Sequence, residues 1–437
     1  MQRSIDTVAV LGAGTMGAGI AAACAQAGSR VHLLDLDAAR VGEVIGKMTE
    51  GRAPMLDDPA ALERISAGSF DDLSVLADCD WICEAVVEDL AIKQDLFRRV
   101  EAARKEGSVV STNTSGIPLR AIVEGMPERF RRDFAVTHFF NPVKVMRLLE
   151  LVPGEDTDPE ALAALRAYCA ETLGKGVVLA KDTVNFIGNR IGCFWILSGL
   201  HKGRAALEGG LTMEKIDALM SAPVGLPPTG LYGLVDLIGL DVMDLVGKNL
   251  AANLPEGDVG REYAAFPPTE QAMLERGQLG RKSGGGFYRV TKRDDGSKLK
   301  EVFDLLDEAW RVAEEVTLEP EHADASSLLF ADTPEGRFAW DLMGGTLCYA
   351  ADLVPEISDT VVGVDRAMRW GFNWQRGPFE MLDALGPDRV IARLEDEGRA
   401  LPRMLAVLRD AGAEAFYRND GSECLGPDGQ WQAVEPE

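Results

Sequence analysis

Cationic side chains are what this sequence has too few of: 45 Lys and Arg stand against 70 Asp and Glu in 437 residues, a formal net charge of −25. A field of that sign repels phosphate backbones and anionic lipid, so neither nucleic acid nor an anionic membrane is expected as a partner. Any anionic ligand must be held by local donors. Cysteine is sparse and scattered, with seven residues (Cys24, Cys79, Cys83, Cys169, Cys193, Cys348, Cys424) and no paired Cys-x-x-Cys set. That pattern argues against a zinc site and for reduced, structural thiols in a reducing compartment, here expected to be the cytoplasm. Long apolar runs are missing too: "IGCFWILSGL" (191–200) is too short to span a bilayer. The chain opens with Met-Gln-Arg-Ser directly before a strand pattern, with no visible signal or transit peptide. Histidine is the rarest of the chemically active residues, with four in the chain.

The residues that are present divide the chain. Its length exceeds one ordinary core, so two or three domains are expected. The first part alternates strand and helix signals: "DTVAVLG", the small-residue helix "MGAGIAAACAQAG", then "RVHLLDLD", "DWICEAVV", "SVVSTNT", "DFAVTHFF", "VMRLLELV" and "KGVVLAKD". Such alternation predicts a doubly wound α/β sheet with helices on both faces. After about Asp182 the strand signals stop and helical segments separated by Gly/Pro turns follow. The glycine-rich, then charged, stretch "GRKSGGGFYRVTKRDDGSK" (280–298) marks a boundary. The expected organisation is 1–182, a Rossmann-type domain; 183–298, a first helical domain; and 299–437, a second helical copy. The copy is legible as a repeat. Asp217, Met220, Gly230, Asp236, Gly239 and Asp241 recur in order as Asp365, Met368, Gly377, Asp383, Gly386 and Asp388, with a single-residue gap.

"VAVLGAGTMGAGIA" places Gly12, Gly14 and Gly17 between a strand and a helix. Gly12 allows the tight turn, Gly14 lets backbone approach a pyrophosphate, and Gly17 lets the helix pack closely, its N-terminus toward the phosphates. Asp35 ends the second strand, where a carboxylate binds both ribose hydroxyls and repels a 2′-phosphate. The unit predicts dinucleotide binding, with NAD favoured over NADP.

"AVTHFFNPVKVMRLLELV" (135–152) carries His138 and Glu150 on two strands broken at Asn141–Pro142. Folded back, the strands can bring the two side by side. A carboxylate that accepts Nδ1–H fixes the imidazole tautomer and leaves Nε2 to remove a hydroxyl proton, the step that accompanies hydride loss from an alcohol. The residues alone leave a second reading open, in which His138 is a core histidine satisfied by a neighbour and Glu150 lies on an exposed strand face.

"GAGTMGAGIA", "CEAVVEDLAIKQDLF", "STNTSGIPL", "THFFNPVKVMRLLELV" and "KDTVNFIGNR" together resemble the L-3-hydroxyacyl-CoA dehydrogenase family, over about residues 5–290. The repeated tail resembles the dehydrogenase part of the bacterial multifunctional β-oxidation proteins, which carry two copies of a helical domain of the 6-phosphogluconate dehydrogenase C-terminal type. The resemblance implies NAD-dependent interconversion of L-3-hydroxyacyl-CoA and 3-oxoacyl-CoA. It implies that His138 is the general base, Glu150 its partner, that Ser115 bonds the substrate hydroxyl and that Asn189 orients the substrate. It implies cofactor contacts at Gly12, Gly14, Met16, Gly17, Asp35, Glu88, Lys93 and Asn113. Read without it, Ser115 is a turn serine, Asn189 a helix cap, and Glu88 with Lys93 a surface pair.

The sequence departs from the family in places. Where members commonly read Asp-Thr-Pro-Gly-Phe, this chain has Asp182-Thr183-Val184-Asn185-Phe186, a change expected to reshape the acyl pocket. Between Asp37 and Asp78, where the family has a CoA-holding helical hairpin, the cations are Arg40, Lys47, Arg52 and Arg64, each better read as solvated surface charge. In the second copy Arg337 matches Arg190, but Gly336 stands where Asn189 would, so the copy is expected to be structural. In single-repeat relatives the helical domains pair between subunits. A tandem copy is expected to replace that partner through Leu231/Leu234 and Phe379/Leu382 faces, giving a monomer or an alternative homodimer. Association with other β-oxidation enzymes follows as an expectation, and no hydratase region is recognisable. The rival readings are a dehydrogenase of a non-CoA hydroxyacid or sugar acid, and a non-catalytic NAD-binding scaffold.

Overall fold

The structure, a computed structural model, describes residues 3–293 and 295–437. Met1 and Gln2, where the reading of the N-terminus begins, and Asp294, within the charged boundary stretch, lie outside the described residues. The chain divides into two compact units, Met1–Phe186 with Glu437, and Ile187–Pro436. Among the described residues no helix is long and apolar enough to cross a membrane.

The first unit is one eight-stranded sheet in the order β3-β2-β1-β4-β5-β6-β7-β8. Its strands are β1 Thr7–Leu11, β2 Arg30–Asp35, β3 Ile65–Ser69, β4 Trp81–Glu84, β5 Val109–Thr112, β6 Phe134–Phe139, β7 Leu148–Pro153 and β8 Gly176–Leu179. Strands β1 to β6 run parallel; β7 pairs antiparallel with β6 and parallel with β8. Helices cover the sheet, so its central strands β1, β4, β5 and β6 are buried along their whole length, with the polar residues Glu84, Ser111, Thr112, Thr137 and His138 among the apolar ones. Helix α1 (Thr15–Gln26) has almost no large side chain because it lies tight on the sheet. A Cβ at Gly17 would sit 1.8 Å from the Gly12 carbonyl oxygen.

One feature implied by the resemblance needs correction in this unit, and one strand went unread. The stretch after Asp37 is not a helical hairpin: it holds one nine-residue helix, α2 (Ala38–Gly46), short 3-10 turns and the edge strand β3. Its candidate cations Arg40, Lys47, Arg52 and Arg64 are all exposed. The strand itself went unread because "ISAGS" is small and polar, and an edge strand needs only one apolar neighbour.

The second unit contains both helical copies, and neither is all-α. Each closes on a three-stranded antiparallel sheet: β9 Tyr288–Lys292, β10 Lys298–Asp304 and β11 Ala309–Val312 in the first, β12 Tyr417–Arg418, β13 Glu423–Leu425 and β14 Trp431–Ala433 in the second. β10 pairs with β9 and β11 with β10, so residues 299–312, expected to open the second copy, belong to the sheet of the first. The expectation that strands end near Asp182 fails because these strands are short, charged and largely solvated, without apolar alternation.

The repeat is reproduced bond for bond. Asp217 accepts from the Tyr232 and Gly233 amides at 2.7 and 3.2 Å and from the Tyr288 hydroxyl at 2.9 Å. Asp365 accepts from the Phe379 and Glu380 amides at 2.8 and 3.1 Å and from the Tyr417 hydroxyl at 2.6 Å. Asp236 takes the Phe287 and Tyr288 amides; Asp383 takes those of Phe416 and Tyr417. Arg289 pairs with Glu301 and lies over Trp310, as Arg418 pairs with Glu423 and lies over Trp431. A Cβ at Gly230 would overlap the Asp217 backbone, and one at Gly377 that of Asp365, which explains why both glycines recur.

The copies pack on one another, but not through the expected faces. Phe379 packs on Phe416 within its own copy. The seam is instead the helix Gly188–Glu208. A Cβ at Gly192 would meet the Phe372 ring at 2.1 Å, Trp195 lies edge-on to Trp374, and Gly199 receives both Leu231 and, from the second copy, Leu342. Gly192→Ala should therefore overpack the seam and cost about 1–3 kcal/mol. Chemical denaturation of the full chain measures this, and an unchanged midpoint would contradict the seam.

Candidate active site

The glycine loop joins β1 to α1. Gly12 takes φ +109°, and a Cβ there would lie 2.6 Å from the carbonyl oxygen of Ala85 at the end of β4, so only glycine fits. Gly14 caps α1 without a side-chain hydrogen bond, no acid occupies the first turn, and nothing lies within 4 Å of where its Cβ would be. The first amides of α1 thus face open space and suit an anion. Asp35 ends β2 beside this loop. Its Oδ2 accepts from the Ala13 amide at 2.7 Å and its Oδ1 from the Leu36 amide at 2.7 Å, which ties the acid at the end of β2 to the glycine turn. Met16 is half-buried and packs against the sheet core. These residues fit a dinucleotide.

His138 and Glu150 are register partners across β6 and β7. His138 Nδ1 lies 2.7 Å from Glu150 Oε2, with Glu150 fully buried and His138 5% exposed. The reading in which Glu150 sits on an exposed face is thereby removed. The chain leaves β6 through a cis Asn141–Pro142 bond, and the imidazole is flanked by the rings of Phe140 and Phe186 at 4.6 and 5.6 Å. With Glu150 as acceptor, Nδ1 carries the proton and Nε2 the lone pair, the state a general base requires. Asn113 sits after β5, and its Oδ1 accepts from the Phe139 amide at 2.8 Å, fixing the backbone next to His138.

Ser115 lies on the same loop. Glu88 gathers that loop: its Oε1 accepts from the Thr114 hydroxyl and from the Ser115 and Gly116 amides, the latter two at 3.2 and 3.0 Å. Burial pushes the Glu88 carboxyl up, but the Lys93 ammonium and these donors outweigh it and hold it below the ordinary range. Lys93 is 1% exposed, 2.7 Å from Glu84 and 3.3 Å from Glu88. It is not the surface partner that the residues alone suggest. Its ammonium joins the end of β4 to Glu88 and so supports the loop that Glu88 gathers.

Glu84 is the residue that sequence reasoning missed. It ends β4, is wholly buried, and accepts from Lys93, the Val86 amide and the Thr112 hydroxyl. Burial pushes its carboxyl up while Lys93 pulls it back. The available signal was an acid closing the apolar run "WICE". Asn189 belongs to the other unit, where it is second in the helix Gly188–Glu208. At the departure from the family pattern, Asn185 takes φ +60°, a conformation that asparagine, like the family's glycine, tolerates.

Lys93→Met should strand the Glu84 charge in the interior and cost about 3–5 kcal/mol, whereas the double variant with Glu84→Gln should recover much of it. Urea unfolding of the three proteins tests this. Equal losses in the single and double variants would contradict the pairing.

Comparison with known proteins follows the same lines. The family model described as 3-hydroxyacyl-CoA dehydrogenase, NAD binding domain, matches residues 7–183, and that of the C-terminal domain matches residues 186–290. The chain is 34% identical, over its whole length, to a Bacillus subtilis protein named "Probable 3-hydroxyacyl-CoA dehydrogenase". It is 35% identical over 89% of its length to a Rickettsia felis protein named as a fatty acid oxidation complex trifunctional enzyme. It spans 58% and 54% of those two proteins. Among solved structures, 3-hydroxybutyryl-CoA dehydrogenase from Escherichia coli K12 is similar with a TM-score of 0.70 and 26% identity, over 93% of this chain and 98% of that one. The matched domains cover more than half of the sequence and carry the glycine loop, the His138–Glu150 strands and the start of the helical unit, and the chain belongs to the 3-hydroxyacyl-CoA dehydrogenase family.

Proposed function

We propose that the protein catalyses the reversible, NAD-dependent oxidation of an L-3-hydroxyacyl-CoA to the 3-oxoacyl-CoA in fatty-acid β-oxidation. The observation that carries the proposal is the buried His138–Glu150 pair, a preformed general base in a domain built to hold a dinucleotide. Glu150 accepts the Nδ1 proton, fixes the tautomer and stabilises the imidazolium as Nε2 takes the proton of the substrate hydroxyl. NAD, when bound, accepts the hydride from the hydroxyl-bearing carbon. Ser115 bonds the substrate hydroxyl, and Asn189 orients the substrate. The amides around Gly12, Gly14 and Gly17 hold the pyrophosphate, and Asp35 holds the adenosine ribose. Met16 and Asn113 border the cofactor, while Glu88, backed by Lys93, sets the loop that faces it.

The names of the relatives support an acyl-CoA substrate and a place among β-oxidation enzymes, with which the protein associates. Seven buried free thiols favour action in a reducing compartment, the cytoplasm. Two helical copies packed in one chain favour a monomer, or a homodimer different from the one made by single-copy relatives.

NADH absorbance with acetoacetyl-CoA tests the reading directly. The wild type should consume NADH, and Glu150→Gln should lower kcat about a hundredfold or more while sparing NADH affinity. Turnover of a free hydroxyacid but not of acetoacetyl-CoA would select the non-CoA rival, and no turnover of either would select the scaffold. Asp35→Ala should narrow the preference for NADH over NADPH by about tenfold or more, since it removes both the ribose acceptor and the charge that repels a 2′-phosphate. An unaltered ratio would dismiss Asp35 as the discriminating residue.

A further inference from the structure

The residue after Asn189 is an arginine with almost no access to water: Arg190 is 1% exposed. A buried guanidinium must have its charge and its N–H donors met within the protein. Nη2 donates to Asp258 at 2.5 Å and to Glu356 at 3.3 Å, while Nε donates to the Tyr349 hydroxyl at 2.6 Å. That hydroxyl donates onward to Asp258, 3.1 and 3.3 Å from its two carboxylate oxygens. Burial pushes the Tyr349 phenol up, so it stays neutral and can accept and donate at once. Its ring stacks on Phe194, one turn further along the Asn189 helix, with centroids 4.0 Å apart and planes at 22°.

Tyr349 and Glu356 come from the second helical copy. The first turn of the helix Gly188–Glu208 is therefore gripped by the copy that has lost its own chemistry. The second copy has no equivalent buried arginine at that position: Arg337, the counterpart of Arg190, is exposed and pairs with Asp332 beside it.

We propose that Tyr349 is a positioning residue, through which the second copy fixes the first helical turn and with it the direction of Asn189. The copy is then more than a filler of an apolar face. It completes the substrate-orienting end of the first copy. This rests on the reading above, in which Asn189 orients the substrate.

The test is steady-state kinetics of the full chain with acetoacetyl-CoA and NADH, for the wild type, Tyr349→Phe, Asn189→Ala and the double variant, with Arg337→Ala as control. Tyr349→Phe keeps the ring stack and removes only the hydroxyl. It should lower kcat about tenfold, the value of one well-aligned hydrogen bond to a charged group, and leave the KM for NADH unchanged. In the Asn189→Ala background the same change should have no further effect on kcat, because the two residues act as one unit. Arg337→Ala should match the wild type. A Tyr349→Phe enzyme with wild-type kcat, or one whose loss is undiminished in the Asn189→Ala background, overturns the proposal and leaves Tyr349 a packing residue. An inactive wild type overturns the functional reading itself, and the positioning role falls with it.

Discussion

The reversal of strand direction between β6 and β7 is the constraint on which the rest of the site depends. Six parallel strands deliver their C-terminal ends, and the loops that follow them, to one edge of the sheet. Continuing that pattern would have required a long crossover before the next strand. The chain instead turns back at Asn141–Pro142 and pairs antiparallel, so two residues close in sequence become register partners. His138 and Glu150 meet where the sheet is dry. In that surrounding a carboxylate without a partner would be costly, and the contact between the two groups helps hold both in place. The neighbouring loops converge on the same edge, with Asn113 bonded to the Phe139 amide and Glu88 gathering Thr114 to Gly116.

Burial of charge is the recurring means by which the fold fixes its working loops. Lys93 between Glu84 and Glu88 sets the segment after β4, whose Ala85 carbonyl meets Gly12. The loop that receives the pyrophosphate in the proposed function is therefore positioned from both sides, by Asp35 through the Ala13 amide and by the Glu84 strand end through Ala85. The helical unit uses the same device four times, at Asp217, Asp236, Asp365 and Asp383, each accepting two backbone amides that start a helix or a strand. These aspartates survived duplication while Asn189 did not. Losing one of these acceptors strands two amides, and at Asp217 and Asp365 a hydroxyl as well, whereas losing the asparagine, a substrate contact in the proposed function, from one of two copies leaves the fold intact.

What was legible in the sequence follows the same division. The glycine loop, Asp35 and the strands around His138 could be read because each depends on a local signal: a backbone that only glycine allows, or an apolar run broken by proline. The second duplication signal, Phe287-Tyr288-Arg289 recurring as Phe416-Tyr417-Arg418, was passed over. It lies in strands too short and too charged to show a period. Glu84 was missed because its partner Lys93 is a helix turn away in the next element, and nothing local announces a buried ion pair. The seam between the copies was misplaced for a related reason. Leu231 and Phe379 are as apolar as a contact face should be, but the close approach is made by Gly192 and Gly199, whose only signal is the absence of a side chain.

The chain's negative charge sharpens how it could hold the ligands of the proposed reaction, which carry several phosphates. Lysine and arginine are not the means at the glycine loop: nothing basic lies in the first turn of α1, and the four cations between Asp37 and Asp78 are dispersed on the surface. What faces the open space beside Gly14 is backbone N–H, whose partial charges are fixed by the helix and cannot be screened away by moving a side chain. Such a site gives less long-range attraction than an arginine cluster and loses less to salt. In the proposed function, discrimination falls to Asp35, whose negative charge is tied to the glycine loop through the Ala13 amide. In the proposed function, a protein with a net charge of −25 binds an anion through oriented amides at contact distance and rejects the same anion with one more phosphate through the carboxylate of Asp35.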